Sequence, residues 1–191
     1  MAGTRATSPA TVAAPILALR DPAAVLIAVD ARMDEEAAGC CDAIELMCLH
    51  ARGGHRVVRL CGGDAWIFGP GPAESLLLQD HGVQVDIVPG VSFSLAIPEM
   101  AGIPYAEGSK AGFAVISADA PASEWTLAAA FPELLIWCGR QPVAEIARRL
   151  LLAGRAACDP VAVMPATCSG GSRCLIFSLQ ELALEQSPWP D

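Results

Sequence analysis

From residue 25 onward, short apolar, β-branched runs alternate with helix-patterned stretches, and the connections between them are brief. Strand-like runs stand at 25–29, 56–60, 83–88, 113–117 and 134–138. Helical stretches stand at 34–52, 73–81, 92–100, 123–130 and 143–153. Parallel strands need a crossover connection, which a helix supplies, so this order predicts an α/β fold on parallel sheet with right-handed crossovers. The run at 25–29 reads as a buried strand, and the helix starting at Ser92 is expected to break late, at Pro98.

The helices carry the marks of amphipathic packing. In 34–52, Ile44, Met47, Cys48 and Ala51 form an apolar stripe, and Gly53-Gly54 stops it. In 143–153, Val143, Ile146, Ala147 and Leu150 face one way; Glu145 and Arg149 can pair one turn apart, and Gly154 caps the end. Two further runs, 161–164 and 173–177, read as a hairpin closed by residues 168–172, followed by a helix at 179–186.

Residues 1–14 are rich in Ala, Thr, Ser and Pro and read as a loose arm. The stretch 102–110 holds Gly102, Pro104 and Gly108 with few large apolar groups, which predicts a hinge. The expected organisation is therefore an arm at 1–14, one α/β domain at 15–106 and a second at 107–191. No internal repeat is evident.

Composition excludes several function classes. A formal net charge of -9 makes the chain a poor general binder of nucleic acid, and its single lysine is Lys110. No apolar run is long enough to span a bilayer. The patch at 12–19 is weak as a secretory signal, so a cytoplasmic protein with no membrane association is expected. The eight cysteines sit mostly in apolar segments and none forms a CxxC pair, which favours reduced, buried thiols. Cys48, His50 and His55 match no standard zinc spacing, so no metal is expected.

The loop after the run at 56–60 bears most on chemistry. It reads Arg59-Leu60-Cys61-Gly62-Gly63-Asp64-Ala65-Trp66-Ile67-Phe68-Gly69. Paired glycines at the end of a parallel strand let a ligand approach the backbone, at the end of the sheet where open α/β folds bind ligands. An aspartate there can accept hydrogen bonds from an amine or a ribose hydroxyl. By itself, Gly-Gly-Asp reads more readily as an ordinary turn than as a ligand site.

Four more segments follow in order: Val88-Pro89-Gly90-Val91-Ser92, Ala101-Gly102-Ile103-Pro104, Leu135-Ile136-Trp137-Cys138-Gly139, and the helix and strand from Ile146 through Pro160-Val161-Ala162-Val163. Taken together, from about Ala24 to Leu184, the chain resembles the tetrapyrrole (corrin/porphyrin) methylases, in particular the uroporphyrinogen-III C-methyltransferases. It is similar to their R-L-K-G-G-D-P-F-I-F-G, V-P-G-V-T, A-G-I-P and Y-M-G segments.

The resemblance implies a two-lobed α/β fold with mostly parallel sheet in the N-terminal lobe, mixed sheet in the C-terminal lobe and a cleft between them. It implies S-adenosyl-L-methionine as cofactor and a tetrapyrrole as substrate. The implied reaction is C-methylation of uroporphyrinogen III to precorrin-2, for sirohaem or cobalamin; methylation of a later precorrin shares the same fold. Carried over by position, the cofactor contacts are Gly62, Gly63, Asp64, Ile67, Ser92, Phe93, Cys138 and Ala166. No catalytic residue is assigned. Homodimers are usual for the family.

The chain departs from the family pattern at its start and at several cations. The opening strand, its G-x-G-P-G-D-P loop, the first helix and the second strand have no evident counterpart in the sequence. The sheet is therefore expected to lack its central strand, leaving an edge for a dimer mate or partner chain to cover. The V-G-K-R segment falls on Val29-Asp30-Ala31-Arg32, so Ala31 replaces a lysine. Cys61 replaces the signature lysine, Ala65 its proline and Pro70 a later arginine; Ala106-Glu107-Gly108 stands where T-H-R follows A-G-I-P. Three readings stay open: a methyltransferase, a catalytically degenerate homologue acting as a cofactor-binding or partner subunit, and a full-length enzyme whose start lies upstream of Met1.

Overall fold

The computed structural model describes residues 4–7, 12, 14–29, 38–105, 112–165 and 174–184. The chain divides into two compact units, Met1–Val91 and Ser92–Asp191.

The first unit is a parallel three-stranded sheet with helices. Its elements are β1 (Thr4–Thr7), α1 (Ala14–Ala18), β2 (Val25–Ala28), α2 (Ala38–Arg52), β3 (Val57–Leu60) and α3 (Gly71–Asp80). The strand order is β2-β1-β3. Thr4 pairs with both Val25 and Val57, so β1 is the central strand. This corrects the expectation of a loose arm at 1–14 and of a missing central strand. The segment Thr4-Arg5-Ala6-Thr7 has no apolar run to announce it, and its place comes from the backbone ladders on both sides.

Beneath the sheet, Ile44, Met47 and Cys48 of α2 pack with Val29 and Leu78, each less than a tenth exposed. Three residues of the stripe expected on α2 thus form its buried face, and Ala51, the fourth, is half-buried. Two other expectations fail here. β2 is an edge strand among the described residues, with Val25 56% and Leu26 40% exposed, not a buried one. Residues 83–88 run without strand pairing; Val83 and Val85 pack against the α2 core, so their alternation reflects burial of one side and not a ladder.

The second unit holds α4 (Phe93–Met100), β4 (Phe113–Ser117), α5 (Ala122–Ala129), β5 (Glu133–Trp137), α6 (Val143–Leu152), β6 (Pro160–Val163), β7 (Leu175–Ser178) and α7 (Leu179–Leu184). β4 and β5 pair in parallel, and β6 and β7 antiparallel, giving the mixed sheet content expected of this half. The turn proposed at 168–172 lies outside the described residues. Ile146, Ala147 and Leu150 of α6 pack with Trp125, Leu179 and Leu182. Glu145 and Arg149 pair at 3.4 Å, and Gly154 closes the helix at φ +97°.

The boundary between units falls before α4, not within 102–110. The reason is local: Phe93, the first residue of α4, stacks on Trp137 at the end of β5 (centroids 6.5 Å apart, planes 23° apart). Pro98 does not break α4; the helix continues through it to Met100. Ala31 and Ala106-Glu107-Gly108 fall outside the described residues.

Candidate functional site

In the first unit, the chain runs from β1 to β2 on one side and then crosses β1 to reach β3 on the other. The order of an open parallel sheet reverses at β1/β3, and ligands bind beyond the carboxyl ends of strands at such a point. β3 ends at Leu60, so Cys61-Gly62-Gly63-Asp64 emerges there directly.

The loop is held in a specific shape. Gly63 has φ +68°, a conformation that favours glycine. The Asp64 carboxylate accepts the Trp66 amide through Oδ1 at 2.8 Å, and the Ile67 amide donates to the Asp64 carbonyl at 3.3 Å. The Gly71 amide, opening α3, donates to the Ala65 carbonyl at 2.9 Å. Cβ atoms at Gly69 or Gly71 would fall 2.6 or 2.7 Å from that same oxygen. Trp66, Ile67 and Phe68 are left exposed, Phe68 at φ +56°.

Sequence motifs far apart in the chain meet at this loop. A Cβ added to Gly90 would lie 2.0 Å from the Gly63 carbonyl oxygen. The Pro89-Gly90 turn therefore packs directly on the Gly62-Gly63-Asp64 loop, and only glycine fits.

The loop is also tied down at its base by a contact that the motifs do not announce. Arg59 of β3 and Glu74 of α3 form a forked ion pair: Nε lies 3.3 and 3.2 Å from the two carboxylate oxygens, and Nη2 is 3.0 Å from Oε1. The side chains are only 16% and 8% exposed. An arginine on a strand just before a glycine loop, and a glutamate in the first turn of the helix after it, are the only sequence signs of this pair. Beside it, burial pushes the Cys61 thiol up; Arg59 pulls it down and Glu74 adds to the rise. A neutral thiol thus stands where the resemblance places a lysine.

In the second unit, Phe93 at the start of α4 stacks on Trp137 at the end of β5, while Cys138, the next residue, packs with Ile136 against the core around Ile146 and Ala147. Ser92 is the residue before α4 and is 7% exposed, yet its hydroxyl does not cap the helix. Its carbonyl accepts the Leu95 and Ala96 amides. Cys138 follows Trp137 at the carboxyl end of β5, its thiol pushed up by burial and 3.7 Å from the Ile136 carbonyl. Gly139 turns the chain at φ +56°. Of the expected contacts, Gly62, Gly63, Asp64 and Ile67 lie in one loop of the first unit; in the second, Ser92 and Phe93 begin α4 beside the end of β5, and Cys138 follows that strand end with its side chain on the core side. Ala166 lies outside the described residues.

No group of three His, Cys, Asp or Glu side chains able to hold a metal occurs among the described residues. Cys48 is buried in the α2 core, while the His50 and His55 rings meet edge-on at 5.9 Å. Among the described residues, no helix is long and apolar enough to cross a membrane.

Comparison with known proteins identifies the fold and the family. A siroheme synthase of Mannheimia succiniciproducens is 38% identical over 161 residues, covering 81% of this chain and 34% of that protein. One from Neisseria meningitidis serogroup C is 40% identical over 129 residues, 64% of this chain and 27% of that protein. The chain thus spans about a third or less of the curated relatives it matches. Among solved structures, a uroporphyrin-III C-methyl transferase from Thermus thermophilus complexed with S-adenosyl homocysteine is similar over 100% of this chain and 82% of its own, with a TM-score of 0.80 and 28% identity. A cobalt precorrin-4 methyltransferase shares the fold with a TM-score of 0.80 at 20% identity, over 95% of this chain and 76% of its own. The sequence model of the Tetrapyrrole (Corrin/Porphyrin) Methylases matches residues 7–183, and the chain belongs to that family.

Proposed function

We propose that the chain binds S-adenosyl-L-methionine and methylates a carbon of a tetrapyrrole, with uroporphyrinogen III as substrate and precorrin-2 as product. The observation that carries this reading is the Gly62-Gly63-Asp64 loop at the order reversal of a parallel sheet, closed by Gly90 against Gly63. The residues fit such a cofactor. The backbone at Gly62 and Gly63 carries no side chains to hinder approach. Asp64 commits Oδ1 to its own turn and presents a second oxygen to an amine or hydroxyl. In the second unit, Ser92 offers a hydroxyl that its helix does not use.

The bound cofactor supplies an activated sulfonium methyl. The protein's part is to align an electron-rich pyrrole carbon with it and to exclude water. In this reading Gly62, Gly63, Asp64 and Ile67, together with Ser92, Phe93, Cys138 and Ala166, contact the cofactor. The relatives named siroheme synthase and the family match support the pathway. The protein works in the cytoplasm, and a second copy covers the exposed apolar edge of β2; a single protomer in sedimentation would refute the dimer.

The test is calorimetric titration with S-adenosylhomocysteine, followed by incubation with uroporphyrinogen III and detection of methylated product. Cofactor binding with product supports the proposal, and no binding rejects it.

A second reading rests on Cys61. Its neutral, partly buried thiol cannot pair with substrate carboxylates as a lysine would. A charge-assisted contact contributes about 1.5–3 kcal/mol, so several such losses would leave a protein that binds cofactor without turning substrate over. Cofactor affinity with no methylated product at high protein concentration would select this reading.

A further inference from the structure

We propose that Trp137 is a positioning residue of the cofactor site in the second unit, acting through the ring of Phe93. This rests on the cofactor reading given above. The three candidate contacts described in this unit, Ser92, Phe93 and Cys138, lie far apart in sequence, and each either belongs to the Phe93–Trp137 stack or directly adjoins it in the chain.

Trp137 is itself held firmly. It is the last residue of β5, paired with Ser117 of β4, and its carbonyl accepts the Ala118 amide at 2.9 Å. Its indole is therefore presented from a strand end whose backbone is fixed on the β4 side. Phe93 comes from the other direction, as the first residue of α4. The two rings lie 6.5 Å apart and nearly parallel, within the range of an offset stack.

That contact sets the first turn of α4 against the end of β5. Ser92 precedes Phe93 and is buried, and no side-chain bond to its own helix holds its hydroxyl. In a well-capped helix the serine hydroxyl would fix the first turn; here the stack takes over that task. On the other side Cys138 follows Trp137 directly, before the chain turns at Gly139. A site residue displaced by an ångström loses much of its effect. Removing the indole would release Phe93 and Ser92 together while leaving β5 in its ladder.

The experiment is a double-mutant cycle read by calorimetric titration with S-adenosylhomocysteine, with thermal melts to confirm folding. Trp137→Leu and Phe93→Leu should each weaken binding about three- to tenfold, the measured range for aromatic pairs. The double variant should lose no more than the more affected single variant, because both remove one contact. Trp137→Phe, which keeps a ring on the strand, should retain near wild-type affinity.

If the wild type binds no S-adenosylhomocysteine, the cofactor reading fails and this role with it. If the wild type binds and Trp137→Leu binds equally well, only the positioning role is overturned. Independent losses that multiply in the double variant, or no rescue by Trp137→Phe, also overturn it. Should Trp137→Leu fail to fold, the same cycle run with Trp137→Met carries the test.

Discussion

Gly90 lies so close to Gly63 that a single methyl group could not be placed between them: a Cβ on Gly90 would stand 2.0 Å from the Gly63 carbonyl oxygen. Gly63 itself is in a left-handed conformation. A side chain at position 90 would have to displace either the Pro89-Gly90 turn or the loop that carries Asp64.

Gly90→Ala is therefore expected to destabilise the first unit by about 1–3 kcal/mol, the usual cost of overpacking, and to weaken S-adenosylhomocysteine binding as the loop shifts. Gly112→Ala is the matched control, since its added Cβ meets only Phe131 at 3.8 Å, an ordinary contact. Urea denaturation of the two variants separates the effects: equal stability would show that the Pro89-Gly90 turn relaxes freely.

The Arg59–Glu74 pair gives a second expectation. Both side chains are largely buried, and removing one partner of a buried ion pair is strongly destabilising, at a cost of about 3–5 kcal/mol. Glu74→Leu should show a loss of that order in chemical denaturation. Arg59→Met combined with Glu74→Leu should recover much of it, because apolar pairs of similar volume replace buried ion pairs without great loss. A double variant no more stable than Glu74→Leu would mean that Arg59 matters through other contacts.

How much of this was legible in the sequence depends on the length scale of the interaction. The stripe Ile44, Met47, Cys48 and the pairing of Glu145 with Arg149 are helix-local, and local periodicity reveals them. β1 has no local signature: Thr4-Arg5-Ala6-Thr7 is a strand because β2 and β3 flank it. The reverse holds at 83–88, where alternation of Val83 and Val85 imitates a strand although these residues join no ladder. At the site, the glycine motifs pick out two loops that the fold brings into contact, but nothing in the spacing says that Gly90 touches Gly63, that Arg59 grips Glu74 or that Trp137 stacks on Phe93. Those contacts are made by the fold, across tens of residues.

The start of α7 carries a pH-dependent element. The Ser178 amide and hydroxyl both bond Glu181 Oε2 at 2.8 Å, and the Glu181 amide donates to Ser178 Oγ at 3.2 Å, a reciprocal capping box. The Ser178 backbone bond, then the hydroxyl bond, holds the Glu181 carboxyl below its ordinary value. With the folded value depressed, the contribution to stability is present above the ordinary value of 4.5 and is lost as pH falls through the folded value. Melting temperatures of wild type and Glu181→Gln should therefore differ most near neutrality and converge in acid. A constant difference down to low pH would remove Glu181 from the account.

Asp64 offers the sharpest separation of structure from chemistry, because one oxygen already serves the turn and the other is left, in the proposed reading, for the cofactor. Oδ1 accepts the Trp66 amide and shapes the loop, while the negative charge is what an amine or ribose hydroxyl of the cofactor would meet. Asp64→Asn keeps an acceptor for Trp66 and removes the charge; Asp64→Ala removes both. A charge-assisted hydrogen bond is worth about 1.5–3 kcal/mol, which corresponds to roughly a 10- to 150-fold change in affinity. Asp64→Asn should lose S-adenosylhomocysteine binding by a factor in that range with its melting temperature nearly unchanged, and Asp64→Ala should lose both affinity and stability. If Asp64→Asn binds as well as the wild type, the carboxylate serves only the turn, and the cofactor must be held by the glycine backbone without it.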